Sequence, residues 1–421
     1  MEASNRPESA VPERAGPAPS STIAAHPLVF SGGGGEYFRV WIVNVLLSIL
    51  TLGLYTPWAR RRTAQYFYSH TQVADSPLEF TAPLRKMVFG FLLFMLLYLA
   101  FEIATKTGQE TASALLILGA AVLAPYLWAS AMRFRLGSTR WRGLQLLFTA
   151  SWKEVYLASW PVFAIALYWI ATVYTIGALA PEPLSLPPAT EGGVNLDPVL
   201  SRVSPTQWGL LGLGLLLSLL AAIRIEYNYK GLLVRRAALG TQQGRWKPVY
   251  GDFVRVWLAT VGVFLLGLLL GFVVIFLLGG SLAFLGDLQA MGPAAIIFVV
   301  FSLLALLTAV LLISAPARAY REARMFQLVW NNIGLSHLAR FKCRLSAASF
   351  VWLRLKNVLL TLLTLGLYRP FARVNEYRMK LESVTLHVKG GLDQVSGELS
   401  RQQSGGMADM MADAAGLDLI G

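Results

Sequence analysis

NVLLSILTLGLYTPWAR occupies residues 44–60, and NVLLTLLTLGLYRPFAR occupies residues 357–373. Thirteen of the 17 aligned positions are identical, at opposite ends of a 421-residue chain. Each copy reads as a helix stop followed by a helix start. Apolar residues run to Leu52, Gly53 suits the left-handed conformation that ends a helix, and Leu54 and Tyr55 make the turn. Thr56 stands where an N-cap hydroxyl is wanted, and Pro57 takes the first helical position, where its missing N–H costs nothing. A basic helix then opens with Arg60. Asn357, Gly366, Tyr368, Pro370 and Arg373 repeat Asn44, Gly53, Tyr55, Pro57 and Arg60. Such a repeat is architectural rather than catalytic.

These residues carry a resemblance. The run Thr51 to Arg60, its echo at Thr364 to Arg373, Asn44, and the opening FSGGGGEY at residues 30–37 resemble the YjgN-like inner-membrane proteins of bacteria. The similarity covers most of the chain, roughly residues 30–389. It implies location and general architecture and brings no catalytic residues.

Composition points the same way without it. The chain is 55% hydrophobic and only 14% charged, against about 25% charged for a soluble domain. The single cysteine, Cys343, excludes an internal disulfide, and the four histidines lack metal-ligand spacing. No metal site or cofactor is expected, and no phosphate-binding glycine loop or nucleophile elbow is present. The net charge of +13 is first explained by basic segments flanking membrane spans, so nucleic acid is not an expected partner.

Six apolar stretches are long enough to cross a hydrocarbon core of roughly 30 Å. They run approximately over 84–103, 111–132, 155–179, 208–223, 253–279 and 293–315, the fourth being the shortest. Of 36 Lys and Arg, 30 fall in residues 58–86, 133–153, 224–255, 317–356 and 369–389. The intervening loops hold only Lys106 and Arg202. With the basic segments cytoplasmic, six spans alternate without a violation. The expected fold is therefore an all-α polytopic membrane protein with about six transmembrane helices in three hairpins. Two short interfacial or re-entrant helices, one per motif copy (37–62 and 350–375), and small cytoplasmic β-hairpins complete it. Strand-like segments lie around Thr71, Thr139, Asn331 and Thr385 and, to avoid open edges, are expected to pair with one another in small hairpins or a sheet. Residues 1–29 and 390–421 read as flexible tails around a membrane domain of 30–389, with Gly32 to Gly35 as a hinge.

No ionisable group sits near the centre of a span, which argues against an embedded carboxylate relay. Arg61, Arg62, Arg140, Arg142, Arg321 and Arg324 are candidates for contact with anionic lipid, since basic residues beside aromatic ones suit headgroups. The bilayer, and anionic lipid within it, are the expected partners. Two functions remain: movement of a small solute or lipid, or a membrane-embedded scaffold whose basic cytoplasmic face binds anionic lipid or a partner protein. Enzymatic activity is not expected, because acids, bases and metal ligands are missing as clusters.

Overall fold

The computed structural model describes residues 23–179, 204–240, 242–248, 250–282, 294–335 and 339–389; side chains of 178–179, 274–282 and 294–312 are outside the description. The tail 390–421 and most of the loop 180–207 are likewise outside it.

The motif copies form two helical hairpins. The first is α1 (Gly34–Leu50) and α2 (Thr56–Ser69). Between the copies run α3 (Leu84–Lys106), α4 (Glu110–Gly137), α5 (Trp152–Ala158), α6 (Trp160–Leu179), α7 (Pro205–Arg236), α8 (Tyr250–Leu282) and α9 (Ala294–Asn331). The second copy is α10 (Ala347–Leu363) and α11 (Arg369–Glu382). Helices α3, α4, α6, α7 and α8 are each long and apolar enough to cross a membrane. The sixth expected span falls in α9. The apolar stretch at 208–223, the shortest in the sequence, belongs to a helix of 32 residues. Its charged end continues the helix rather than terminating it. The stretch from 155 is not one helix: α5 stops at Ser159, and Pro161 is tolerated because it lies in the first turn of α6.

Of the small hairpins or sheet expected, the strands form the sheet, and its extent corrects the all-α class. These are β1 (Ile23–Pro27), β2 (Val29–Phe30), β3 (Thr71–Val73), β4 (Ser76–Phe80), β5 (Thr139–Trp141) and β6 (Leu144–Phe148). β7 (Ala237–Leu239), β8 (Gln242–Trp246), β9 (Ile333–Leu335), β10 (Ala339–Cys343) and β11 (Val384–Lys389) follow. They join into one antiparallel sheet in the order β1-β11-β10-β9-β8-β7-β6-β5-β4-β3-β2. The two end strands are separated only by Leu28, whose N–H donates to the Val384 carbonyl at 3.0 Å. One stretch of chain thus pairs with β11 through its first half and with β3 through its second. The sheet returns to itself through the backbone instead of ending on two open edges.

The ring has a fivefold pattern. Four times a helix ends in a three-residue strand, followed two or three residues later by a five-residue strand that leads to the next helix. The fifth unit is assembled from the two ends of the chain, α11 and β11 supplying one half and β1, β2 and α1 the other. Five equivalent backbone clasps tie the residue just past each second strand to the end of the helical segment that returns to the sheet. Ser31, Thr81, Thr149, Lys247 and Arg344 donate to the carbonyls of His70, Ser138, Arg236, Asn332 and Ser383, at 3.0, 2.8, 2.9, 3.4 and 2.9 Å.

Alternation along the strands buries one face against the helix ends. Val384, Leu386, Val388, Ala339 and Cys343 pack on Ala319 and Ala323 of α9 and Phe350 of α10. Phe148 packs with Ala129, Val155 and Leu232. The opposite face is exposed at Glu79 and Arg140, which are cross-strand partners. Among the apolar windows of the five span-length helices, no more than 11% of residues are buried against protein. Neighbouring hairpins therefore meet mainly at their strand ends. Helix α8 approaches α9 closely at two glycines: a Cβ on Gly267 would stand 3.0 Å from the Ile313 carbonyl, and one on Gly271 would meet Ile313 Cδ1.

The tail reading of residues 1–29 is corrected at its end, since Ile23 to Phe30 is the strand that closes the ring. The glycine hinge is also corrected: Gly34 and Gly35 lie inside α1, and Gly33 precedes it. Deleting residues 1–22 is expected to leave the thermal midpoint in detergent unchanged. Deleting residues 1–30 leaves β11 and β3 with open edges and is expected to lower it by about 10 °C or more, or to give aggregate. Differential scanning fluorimetry of the two truncations checks both outcomes.

Candidate functional site

The repeated stretch folds the same way twice. Gly53 has φ +89° and Gly366 φ +95°, and the leucine before each is also left-handed, Leu52 at +50° and Leu365 at +51°. Both helices thus stop at this turn. The cap, however, differs from the sequence reading. Thr56 lies inside α2, with its hydroxyl donating back to the Gly53 carbonyl at 2.5 Å. Thr51 makes the turn instead: its hydroxyl donates to Leu47 O at 2.7 Å and accepts from Tyr55 N at 3.0 Å. Thr364 does the same between Leu360 O and Tyr368 N. The hydroxyl belongs at the stop because the inverted backbone brings the Tyr55 N–H under it.

Asn44 and Asn357 are buried where the two helices of each hairpin touch. Asn44 Nδ2 donates to Ala59 O at 3.4 Å and Asn357 Nδ2 to Ala372 O at 3.3 Å. Pro57 and Pro370 are buried as well. Tyr55 stacks on Trp58 and accepts from Arg62; Tyr368 stacks on Phe371 and accepts from Asn375. The turn thrusts Leu52 and Leu365 outward, 92% and 95% exposed, at the tip of each hairpin.

The copies diverge in their arginines. Arg60 is exposed, whereas Arg373 donates to the Tyr37 hydroxyl at 3.1 Å and lies over Phe67. It helps fasten α11 to the first hairpin across a seam of Phe30, Tyr37, Tyr66, Phe67 and Val374. Burial and the nearby Glu36 push Tyr66 up to about 12 in that seam. Of the other basic residues singled out, Arg61 is half-buried and Arg324 is exposed beside Gln327. Arg142 sits in the β5–β6 turn and pins the neighbouring turn, through Ser76 Oγ at 2.8 Å and Ala74 O at 3.0 Å. Arg321 alone of the set lies in a cleft.

That cleft, of about 870 Å³, opens between the strand ends of α7, α8, α9 and α10. Glu226 Oε1 accepts from Lys230 at 2.7 Å, and Oε2 accepts from Trp257 Nε1 at 2.8 Å and faces Arg321 at 3.6 Å. The Arg321 guanidinium lies 4.4 Å over Trp257. Glu322 pairs with Lys380 at 2.6 Å and with Arg354 at 3.4 Å. Arg354 continues to Glu376, which accepts from Asn357 at 3.0 Å. The cleft lining holds four cations against two carboxylates. A second cleft, of about 670 Å³, sets Arg224, Arg235 and Arg236 against Glu154 between α5 and α7. Hydrogen bonding from the Ser151 backbone N–H holds the Glu154 carboxyl below the usual range against the opposing effect of burial, and the Arg236 pair adds to the lowering.

The sequence places Glu226 away from the centre of a span but does not join it to Glu322, Arg354, Glu376 or Lys380. The available signal was spacing: Glu226 and Lys230 are four apart, and Arg318, Arg321 and Glu322 share one face of a helix. Removing the Asn357 amide breaks two bonds, one of them to a carboxylate, whereas Asn44 makes one long bond. Asn357→Ala is expected to cost about 2 kcal/mol and Asn44→Ala about 1 kcal/mol or less. Chemical unfolding of the two variants, read against the wild type, checks that order.

Comparison with known proteins adds the family. Inner membrane protein YjgN of Salmonella typhimurium is 23% identical over 375 residues, covering 88% of this chain and 90% of that protein. Inner membrane protein YjgN of Escherichia coli O157:H7 is 28% identical over 154 residues, 37% of this chain and 39% of its own length. The K12 protein of the same name is 25% identical over 181 residues, 43% of this chain and 44% of its own length. No solved structure matches. The family described as bacterial protein of unknown function (DUF898) matches residues 25–414, and the chain belongs to it.

Proposed function

We propose that the protein is a multi-pass inner-membrane scaffold whose strand ring faces the cytoplasm and whose basic ring end binds anionic phospholipid. The observation that carries this reading is the contrast between the two ends of the molecule. The span-length helices are barely packed on one another in their apolar windows, while the strand end is clasped, ion-paired and rich in cations. The relatives named inner membrane proteins support the location. The excess of Lys and Arg at the ring end supports a cytoplasmic ring, because short basic segments are retained on that side.

In this reading the two motif hairpins dip into the inner leaflet. Helix α1 has 17 residues, about 25 Å of helix, which is too short for a core of roughly 30 Å. Its exposed Leu46, Ile49, Leu50 and Leu52 suit acyl chains, while Arg60 and Arg62 of α2 remain at headgroup depth. The proposal assigns the protein no catalysis and no nucleic-acid partner. A second reading, movement of a small solute or lipid, is favoured by the larger cleft, an open space between α7, α8, α9 and α10 lined by both ionic and apolar side chains.

Lipid extracted with the protein by mild detergent tests the proposal. Phosphatidylglycerol and cardiolipin are expected to be enriched severalfold over their share of the parent membrane, each nearby cation contributing on the order of 1 kcal/mol. Retained lipid in the same proportions as the membrane contradicts it.

A further inference from the structure

We infer that the cleft between α7, α8, α9 and α10 is a dedicated site for one anionic amphiphile, a phosphate- or carboxylate-headed lipid whose chain lies along α8. The inference rests on the anionic-lipid reading above and narrows it to a place. The lower part of the cleft is ionic and its upper wall is apolar, formed by Val261 and Phe264 of α8 above Trp257 and Thr260. A volume of about 870 Å³ is in the range of sites for sizeable small molecules. A free inorganic anion needs no such wall.

The charges inside are not balanced against one another. Each carboxylate is already engaged, Glu226 by Lys230, Arg321 and Trp257, and Glu322 by Arg354 and Lys380. Arg318, at the cleft, has no ion pair or hydrogen bond among the described residues and is exposed. With Lys380 and Glu376 added to the lining residues, five cations stand against three carboxylates. A singly or doubly charged headgroup beside Arg318 and Arg321 closes that gap. The aromatic face of Trp257, under the Arg321 guanidinium, is of the kind found at a membrane interface.

Comparison of the two motif copies gives an independent reason to regard the site as built. The copies keep Asn44 and Asn357, yet at the positions equivalent to Arg354 and Glu376 the first copy carries Trp41 and Thr63. The ionic link from Asn357 through Glu376 and Arg354 to Glu322 therefore exists only in the copy that borders the cleft. The shared hairpin needs no such link to fold, since the first copy does without it. The link presents Arg354 to the cleft and ties its occupancy to the second hairpin.

The test is a native mass spectrometry titration of the full chain in detergent with dioleoylphosphatidylglycerol, dioleoylphosphatidylcholine and inorganic phosphate. One tightly held phosphatidylglycerol is expected, and equimolar phosphate is not expected to displace it. Arg318→Gln removes a cation that has no partner, so folding is unaffected, and is expected to weaken that binding about fivefold. Val261→Trp blocks the apolar wall and is expected to weaken it tenfold or more, while Arg324→Gln, outside the cleft, leaves it unchanged. Equal binding of the two lipids by the wild type overturns the lipid reading and this site together. Preference for phosphatidylglycerol that survives both cleft substitutions overturns the site alone. Displacement by equimolar phosphate overturns the amphiphile and assigns the cleft to a free anion.

Discussion

Strands beside a membrane have to hide their edges, and in this protein that constraint is met by one eight-residue stretch. Ile23 to Phe30 pairs with β11 through its first half and with β3 through its second, and Leu28 bonds to Val384 between them. Without it the nine other strands form an arc with two unpaired ends, each a template for aggregation. With it the hairpins are held in a circle by backbone hydrogen bonds at the strand end. The spans can then stay loosely packed, because their relative positions are set where they leave the bilayer. The near-absence of burial in the apolar windows is what such a design allows, since lipid is as apolar as the helices and offers little drive to association.

The repeated stretch takes its meaning from that circle. The two motif hairpins are neighbours, because α11 and α1 belong to the unit assembled from both chain ends. Gly34 lies so close to Phe371 that a Cβ would stand 2.7 Å from its Cδ1. A duplication far apart in sequence is therefore adjacent in space. The turn geometry has been kept in both copies: a threonine hydroxyl under the tyrosine N–H, a left-handed Leu-Gly pair, and an asparagine between the helices. The polar surroundings have been allowed to differ, with tryptophan and threonine in one copy and an arginine–glutamate pair in the other.

Much of this was readable in advance, and the misses have physical causes. The apolar stretches named the helices, and the glycines marked the two stops, because both signals are local. Strands near Thr71, Thr139, Asn331 and Thr385 were visible as short alternating or polar segments. The strand pair at 237–246 was not: AALGTQQGRW has little alternation. Nor was IAAHP at 23–27, whose pattern is almost wholly exposed and whose partner lies 366 residues away at the far end of the pairing. Three-residue strands carry too little side-chain pattern to be recognised alone; their pairing decides them. The cleft was hidden for a similar reason, since Glu226, Glu322, Arg354 and Lys380 sit on four different helices and only the ring brings them together.

Closure of the ring by the chain ends is tested most directly by a disulfide across the β1–β11 pairing. Ala25 and His387 are register partners, and opposed residues of antiparallel strands lie within the span a disulfide bridges. In a Cys343→Ser background, Ala25→Cys with His387→Cys is expected to give, under mild oxidation, one linked tryptic species joining the two ends of the chain, detected by mass spectrometry. If both thiols instead remain free to alkylation in folded protein, the termini do not meet and the closed ring is contradicted.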